Sequence, residues 1–128
     1  MVLDSSVIVA IHLRETGYEP LIYKIEGSPV ILVGYPTLLE SMLVLTTRLG
    51  RDARPLLFRF VTQAKAECVA FDERHMEAAS SAFLRFGKGR HPAALNFGDC
   101  LSYAVAAVAG MPLLFVGEDF SKTDIGRA

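Results

Sequence analysis

The sequence predicts an α/β fold: a three-layer α/β/α sandwich around a mostly parallel central sheet. Three observations carry this. Four short apolar runs, MVL, PVILVG, ECVAF and MPLLFVG, are spread along the 128 residues. Longer segments with apolar residues at helical spacing separate them. The runs are apolar at successive positions, as in strands covered on both faces, and alternation of strand with helix points to parallel crossovers.

Each element follows from local signals. MVL reads as a strand ending near Leu3, with Asp4 and Ser5 as turn and cap of a helix through VIVAIHL. TGYEPLIYKIEG places Leu21, Ile22 and Ile25 at helical spacing and closes at Gly27. PVILVG, rich in β-branched residues, is a buried strand. Pro36 suits the first turn of the next helix, where Leu38, Leu39, Met42, Leu43 and Leu45 repeat before Gly50. ARPLLFRFVTQAKA is a further helix and ECVAF the third strand. Asp72 and Gly87 bracket a helix as N-cap and C-cap. KGRHPAAL is the clear loop, NFGDCLSYAVAAVAG a helix and MPLLFVG the fourth strand. EDFSKTDIGRA is a polar turn that leaves a last short strand open.

Length and a 52% hydrophobic fraction indicate a single globular domain over 1–128. Thirteen basic and fourteen acidic residues leave a formal charge of −1, so bulk charge argues neither for nor against nucleic acid. Two cysteines, Cys68 and Cys100, make no disulfide framework and have no zinc spacing. The first apolar stretch lacks a basic leader and is interrupted by Asp4, and the run Leu101–Gly117 is broken by Gly110 and Pro112. A cytoplasmic protein without a membrane span is expected.

In parallel α/β sheets, ligand chemistry lies beyond the carboxyl ends of the strands. Asp4 follows the first strand, Glu40 lies early in the helix after the second, Asp99 opens the helix that leads to the fourth, and Asp119 follows that strand. Each has a plainer reading alone. Asp4 could be a turn residue, Glu40 a helix-dipole acid and Asp119 a loop acid. Asp99, three residues after Asn96, stands where a capping box places its acid. Together they suggest convergence at one edge. Two carboxylates about 5 Å apart repel by roughly 3 kcal/mol at an effective dielectric near 20, and Mg²⁺ or Mn²⁺ relieves such repulsion at all-oxygen sites.

In this order and spacing, VLDSSVIVAI, PTLLESMLVL, LNFGDCLSYAVA and LLFVGEDFSKTDI resemble the PIN-domain ribonucleases, in particular the VapC toxins of bacterial type II toxin–antitoxin pairs. The resemblance covers essentially the whole chain. It implies a PIN-like sandwich and Mg²⁺- or Mn²⁺-dependent endoribonuclease activity, with metal ligands at Asp4, Glu40, Asp99 and Asp119. A site hydroxyl matches Ser5 or Ser6, with Ser6 preferred. It also implies an RNA substrate and a VapB-type antitoxin whose C-terminal segment wraps the toxin and sends a basic side chain into the acidic pocket. The chain departs from the subfamily at Val116, where Lys is common, and at Glu118, where Asn or Asp is common.

Two enzyme rivals fail at readable positions. A receiver-type phosphoacceptor needs an acidic pair after its first strand, and a dehalogenase-type phosphatase needs a second Asp where Ser6 stands. A degenerate PIN-like module that binds RNA or a partner without cutting is the alternative. Arg48, Arg51, Arg54 and Arg59, and Arg85, Lys88, Arg90 and His91, are candidate phosphate contacts or solvated faces. His12, His75 and His91 have no mutual ligand spacing, and Tyr18, Tyr35, Phe58 and Phe60 could stack bases but read better as core residues. Leu38, Leu39, Met42, Leu43, Leu45, Leu56, Leu57, Phe58 and Phe60 are more apolar surface than one sheet hides. A two-fold homodimer built mainly from residues 38–60 is therefore expected.

Overall fold

Four parallel strands form the sheet in the computed structural model, which describes residues 1–128: β1 (Val2–Leu3), β2 (Leu32–Gly34), β3 (Glu67–Val69) and β4 (Leu113–Leu114). Their order is β3-β2-β1-β4. Val2 pairs with Leu32 on one side and Leu113 on the other, and Leu32 pairs with Glu67. The chain thus starts at the centre, builds outward through β2 to β3, and returns to the far side of β1. The point where the order reverses lies between β1 and β4, where open α/β sheets form their crevice.

Period-two alternation sorts the strand residues onto two faces. Val2 and Leu113 point into a cluster with Leu95, Tyr103, Val105 and Phe115, which α5 (Glu73–Phe86) and α6 (Phe97–Ala109) cover. Leu3 and Leu114 point the other way, onto Val7, Ile25 and Ile31. Val33 joins Ile8, Leu45, Ala53 and Leu57 on that second face. There α1 (Ser5–Leu13), α2 (Tyr18–Glu26), α3 (Tyr35–Leu49) and α4 (Arg54–Gln63) form the opposite layer. Three layers with apolar residues on both sides of very short strands are the expected sandwich.

Caps fix most helix ends. Asp72 caps α5 through the Arg74 N–H, and His75 completes the box from the third helical position. Gly50 and Gly110 end α3 and α6 in left-handed conformations. Gly87 is the C-cap of α5 as expected, but it is extended at φ −67° where Gly50 and Gly110 are left-handed. Its Cβ would stand 2.3 Å from the Phe83 carbonyl oxygen, so close approach, not a turn, demands glycine there. The polar C-terminus forms a 3₁₀ turn, Asp119–Lys122. A full last strand does not form; only Arg127 bridges to Leu113, with the Leu113 N–H donating to Gly126 O and the Ala128 N–H to Leu113 O. No helix is long and apolar enough to cross a membrane.

Leu45 is fully buried in the α1–α3–α4 layer. Leu45→Ala should cost about 3 kcal/mol of unfolding free energy, the middle of the range for a buried leucine, as read by urea titration.

Candidate active site

Asp4 stands one residue beyond β1 and caps α1 from an extended backbone. It is 4% exposed. Its Oδ2 accepts the Ser6 N–H at 3.0 Å and the Ser6 hydroxyl at 2.6 Å. The Ser6 Oγ in turn accepts the Val116 N–H at 3.0 Å. Ser6 therefore spends its donor on Asp4 and accepts from the chain leaving β4. It orients the acid and ties two strand ends together. Ser5 is the hydroxyl on the Glu40 side.

Glu40 projects from the second turn of α3 towards the start of α6. A Cβ on Gly98 would lie 2.5 Å from its Oε2, so the carboxylate can occupy this place only against glycine. Sequence reading did not single out Gly98. The signal was available, since glycine inside a helix costs about 1 kcal/mol against alanine and no turn requires it here. Burial, then the charge of Asp4, push the Glu40 carboxyl above its ordinary range, and the Ser5 hydroxyl offsets part of this.

Asp99 sits at the third position of α6 in a reciprocal capping box. Its N–H donates to Asn96 Oδ1 at 2.9 Å, and its Oδ2 accepts the Asn96 N–H at 2.9 Å. One carboxylate oxygen is committed to the cap, which bears out the capping reading of Asp99, and the other is not used by it. Burial lifts its carboxyl to about 6; the Asn96 bond opposes this, while Asp4, Asp119 and Glu40 add to it. Asp119, exposed on the 3₁₀ turn, thus belongs to the same electrostatic neighbourhood.

Two buried carboxylate oxygens, Asp4 Oδ1 and Glu40 Oε2, have no hydrogen-bond partner. Such groups are rare because desolvating them is costly, and an ion is one of the few things that satisfies them. The donor set is all oxygen, which suits Mg²⁺ or Mn²⁺. As arranged, no group of three or more acidic, histidine or cysteine side chains stands ready to hold a metal ion.

The remaining candidates fall outside this cluster. His12 bonds Ile8 O, His75 serves the α5 cap, and His91 Nδ1 accepts the Ala93 N–H. Burial, then Asp99, raise the Cys100 thiol, which makes it a poor nucleophile. Arg54 pairs with Asp52 and Arg85 with Asp124, whereas Arg48, Arg51, Arg59, Lys88 and Arg90 form no ion pair. Tyr35 and Phe58 are exposed, against the expectation that they are core: they rim an apolar groove between α3 and α4, floored by Leu57 and Cys68. Phe97, 80% exposed, borders a second hollow that includes Glu40 and Gly98.

An acidic cluster at the β1/β4 reversal of a parallel α/β/α sandwich defines a class, and the comparisons agree with it. The PIN domain family model matches residues 1–126. The ribonuclease VapC of Mycolicibacterium smegmatis is 42% identical over 125 residues, covering 98% of this chain and 97% of that protein. Among solved structures, VapC20 of Mycobacterium tuberculosis, a Sarcin-Ricin loop cleaving toxin, superposes with a TM-score of 0.80 at 18% identity, covering 99% of this chain and 97% of that one. A toxin–antitoxin complex from Klebsiella pneumoniae gives 0.70 at 14% identity, with 96% and 92% covered. The chain belongs to the PIN-domain family and, within it, to the VapC ribonucleases.

The raised Asp99 carboxyl has a consequence for stability. It titrates near 6 when folded, against about 3.9 in an unfolded chain. The folded state binds that proton more tightly, so Asp99 removes stability as pH rises from about 4 through about 6. In chelator-containing buffer, Asp99→Asn should be more stable than the parent at pH 7.5, on the order of 1 kcal/mol after solvent screening is allowed for. The difference should shrink towards pH 5. Urea titrations at the two pH values measure both.

Proposed function

We propose that this VapC-type ribonuclease, an endoribonuclease of the toxin class, hydrolyses RNA phosphodiesters at Asp4, Glu40, Asp99 and Asp119 with Mg²⁺ or Mn²⁺ as cofactor. The observation that carries the reading is the pair of unpartnered buried oxygens, Asp4 Oδ1 and Glu40 Oε2, in a cluster where burial, with neighbouring acids adding to it, raises the Glu40 and Asp99 carboxyls. Asp4, Glu40, Asp99 and Asp119 would hold the divalent cation, whose chemistry there would be activation of a water and neutralisation of charge on the scissile phosphate.

The side chains have separable tasks. Asp4 is locked by Ser6, so its free oxygen has a fixed direction. Asp99 is locked by Asn96 in the same way. Glu40 faces Gly98 across a gap that admits no side chain. Asp119 closes the cluster from the exposed side, near enough to Asp99 for its charge to be felt there. The unpaired Arg48, Arg51, Arg59, Lys88 and Arg90 supply phosphate contacts. Phe97, beside Glu40, offers an open ring face to an unstacked base.

Partner binding follows the same reading. The groove rimmed by Tyr35, Leu38, Met42, Phe58 and Val61 fits the apolar face of an antitoxin helix. An arginine of that antitoxin could bridge two of the carboxylates with paired hydrogen bonds. Self-association as a two-fold dimer would use the exposed Leu39 and Leu43, as expected for residues 38–60. The exposed apolar surface also extends past Phe97 to Met76, Phe83 and Leu84 on α5, beyond that segment. Action in the cytoplasm, beside RNA and antitoxin, completes the proposal.

Asp4→Asn and Asp99→Asn keep shape and remove charge. Each should slow cleavage of a labelled RNA on the order of 100-fold, comparable with loss of one charge-stabilising group in other enzymes, and excess EDTA should abolish it. Full cleavage by the variants, or in EDTA, would refute the reading. A folded parent that binds RNA but never cuts it would favour the inactive binding module. In light scattering at tens of micromolar the parent should have twice the chain mass, and Leu43→Arg should shift it towards the monomer.

A further inference from the structure

The chain after β4 has little structure of its own to hold Asp119. One 3₁₀ turn carries it, and its carboxylate is exposed. Before the turn, the Val116 N–H is anchored on Ser6. Within it, Phe120 is buried against the Phe115 ring, 5.0 Å between centroids. After it, the Thr123 hydroxyl donates to Phe120 O at 2.8 Å. Then comes Asp124, whose Oδ1 accepts the Tyr103 hydroxyl at 2.6 Å and whose Oδ2 accepts Arg85 Nη2 at 2.8 Å.

Tyr103 is the informative partner. It lies four residues after Asp99 on α6, so the two share one helix face. It is 6% exposed and wedged beside Phe86. One rigid helix therefore presents Asp99 to the acidic cluster and, one turn on, fixes the segment that bears Asp119. Like charge would otherwise push an exposed turn away from Asp99. Arg85 balances the charge of Asp124, so the clamp adds no net negative charge of its own. Burial, then the Asp124 bond, hold the Tyr103 phenol at about 12, which keeps its hydroxyl a donor throughout the physiological range.

We infer that Asp124 is a positioning residue: through its bond to Tyr103 it sets the distance of Asp119 from Asp99 and so prepares the acidic cluster for a divalent cation. The inference rests on the reading that Asp119 belongs to that cluster. Tyr103→Phe removes the donor and keeps the ring. Asp124→Asn keeps an acceptor for Tyr103 and loses the charge facing Arg85.

The test is Mn²⁺ titration calorimetry on the full chain, with the unfolding midpoint measured alongside. Tyr103→Phe should weaken Mn²⁺ binding about 10-fold, as loss of outer-shell support does at other metal sites. Asp124→Asn should weaken it less. In an Asp119→Asn background, Tyr103→Phe should change affinity less than 2-fold, because two residues acting through one group are not additive. Unchanged Mn²⁺ affinity in Tyr103→Phe, or a full 10-fold loss in the Asp119→Asn background, overturns the inference and leaves the clamp a structural staple. If Asp119→Asn weakens binding and Tyr103→Phe does not, only the clamp fails. If Asp119→Asn binds Mn²⁺ like the parent, the placement of Asp119 in the cluster fails with it.

Discussion

Carboxylates brought together at the carboxyl edge of a parallel sheet repel, and much of this molecule is arranged around holding them in place. Asp4 is fixed by the strand that precedes it and the serine that follows it. Asp99 is fixed by the cap of its own helix. Glu40 reaches the cluster because one position of α6 has no side chain. Burial, with the neighbouring acids adding to it, pushes the Glu40 and Asp99 carboxyls above their ordinary range. Under the proposed function, the stability given up to an unneutralised all-oxygen cluster is returned when a hard cation meets it.

Topology makes this convergence inexpensive in chain length. The reversal of strand order at β1 opens a crevice between the ends of β1 and β4. The helix leading into β4 must begin at that same edge, so its N-terminus delivers Asp99 without any loop excursion. The Ser6 hydroxyl, bonded to Asp4 and to the Val116 N–H, joins the two sides of the crevice. Its donor is spent on Asp4, so in this arrangement the hydroxyl orients the acid.

Much of this was legible in the sequence, and the failures have physical causes. Strand runs flanked by helical spacing gave the layers, because burial on both faces leaves an uninterrupted apolar signature. The acids were legible because each abuts an apolar segment. The preference for Ser6 over Ser5 could not include the Val116 bond, which joins residues 110 positions apart. Gly98 was passed over because its requirement comes from Glu40 on another helix. Tyr35 and Phe58 were read as core because hydrophobicity says that a residue favours burial, not whether its own fold covers it. The last strand reduces to one bridge, where the Arg127 guanidinium lies over the Phe115 ring, 4.5 Å from its centroid.

The central claim is that Asp4 Oδ1 and Glu40 Oε2 are held unpartnered in order to meet a cation. Anomalous diffraction at the manganese edge, from crystals grown with MnCl₂, addresses it directly. The account predicts an anomalous peak within ligating distance, about 2.0–2.3 Å, of both oxygens, and loss of that peak in Asp4→Asn. Manganese bound elsewhere on the chain, with these two oxygens left facing only protein or water, would contradict it.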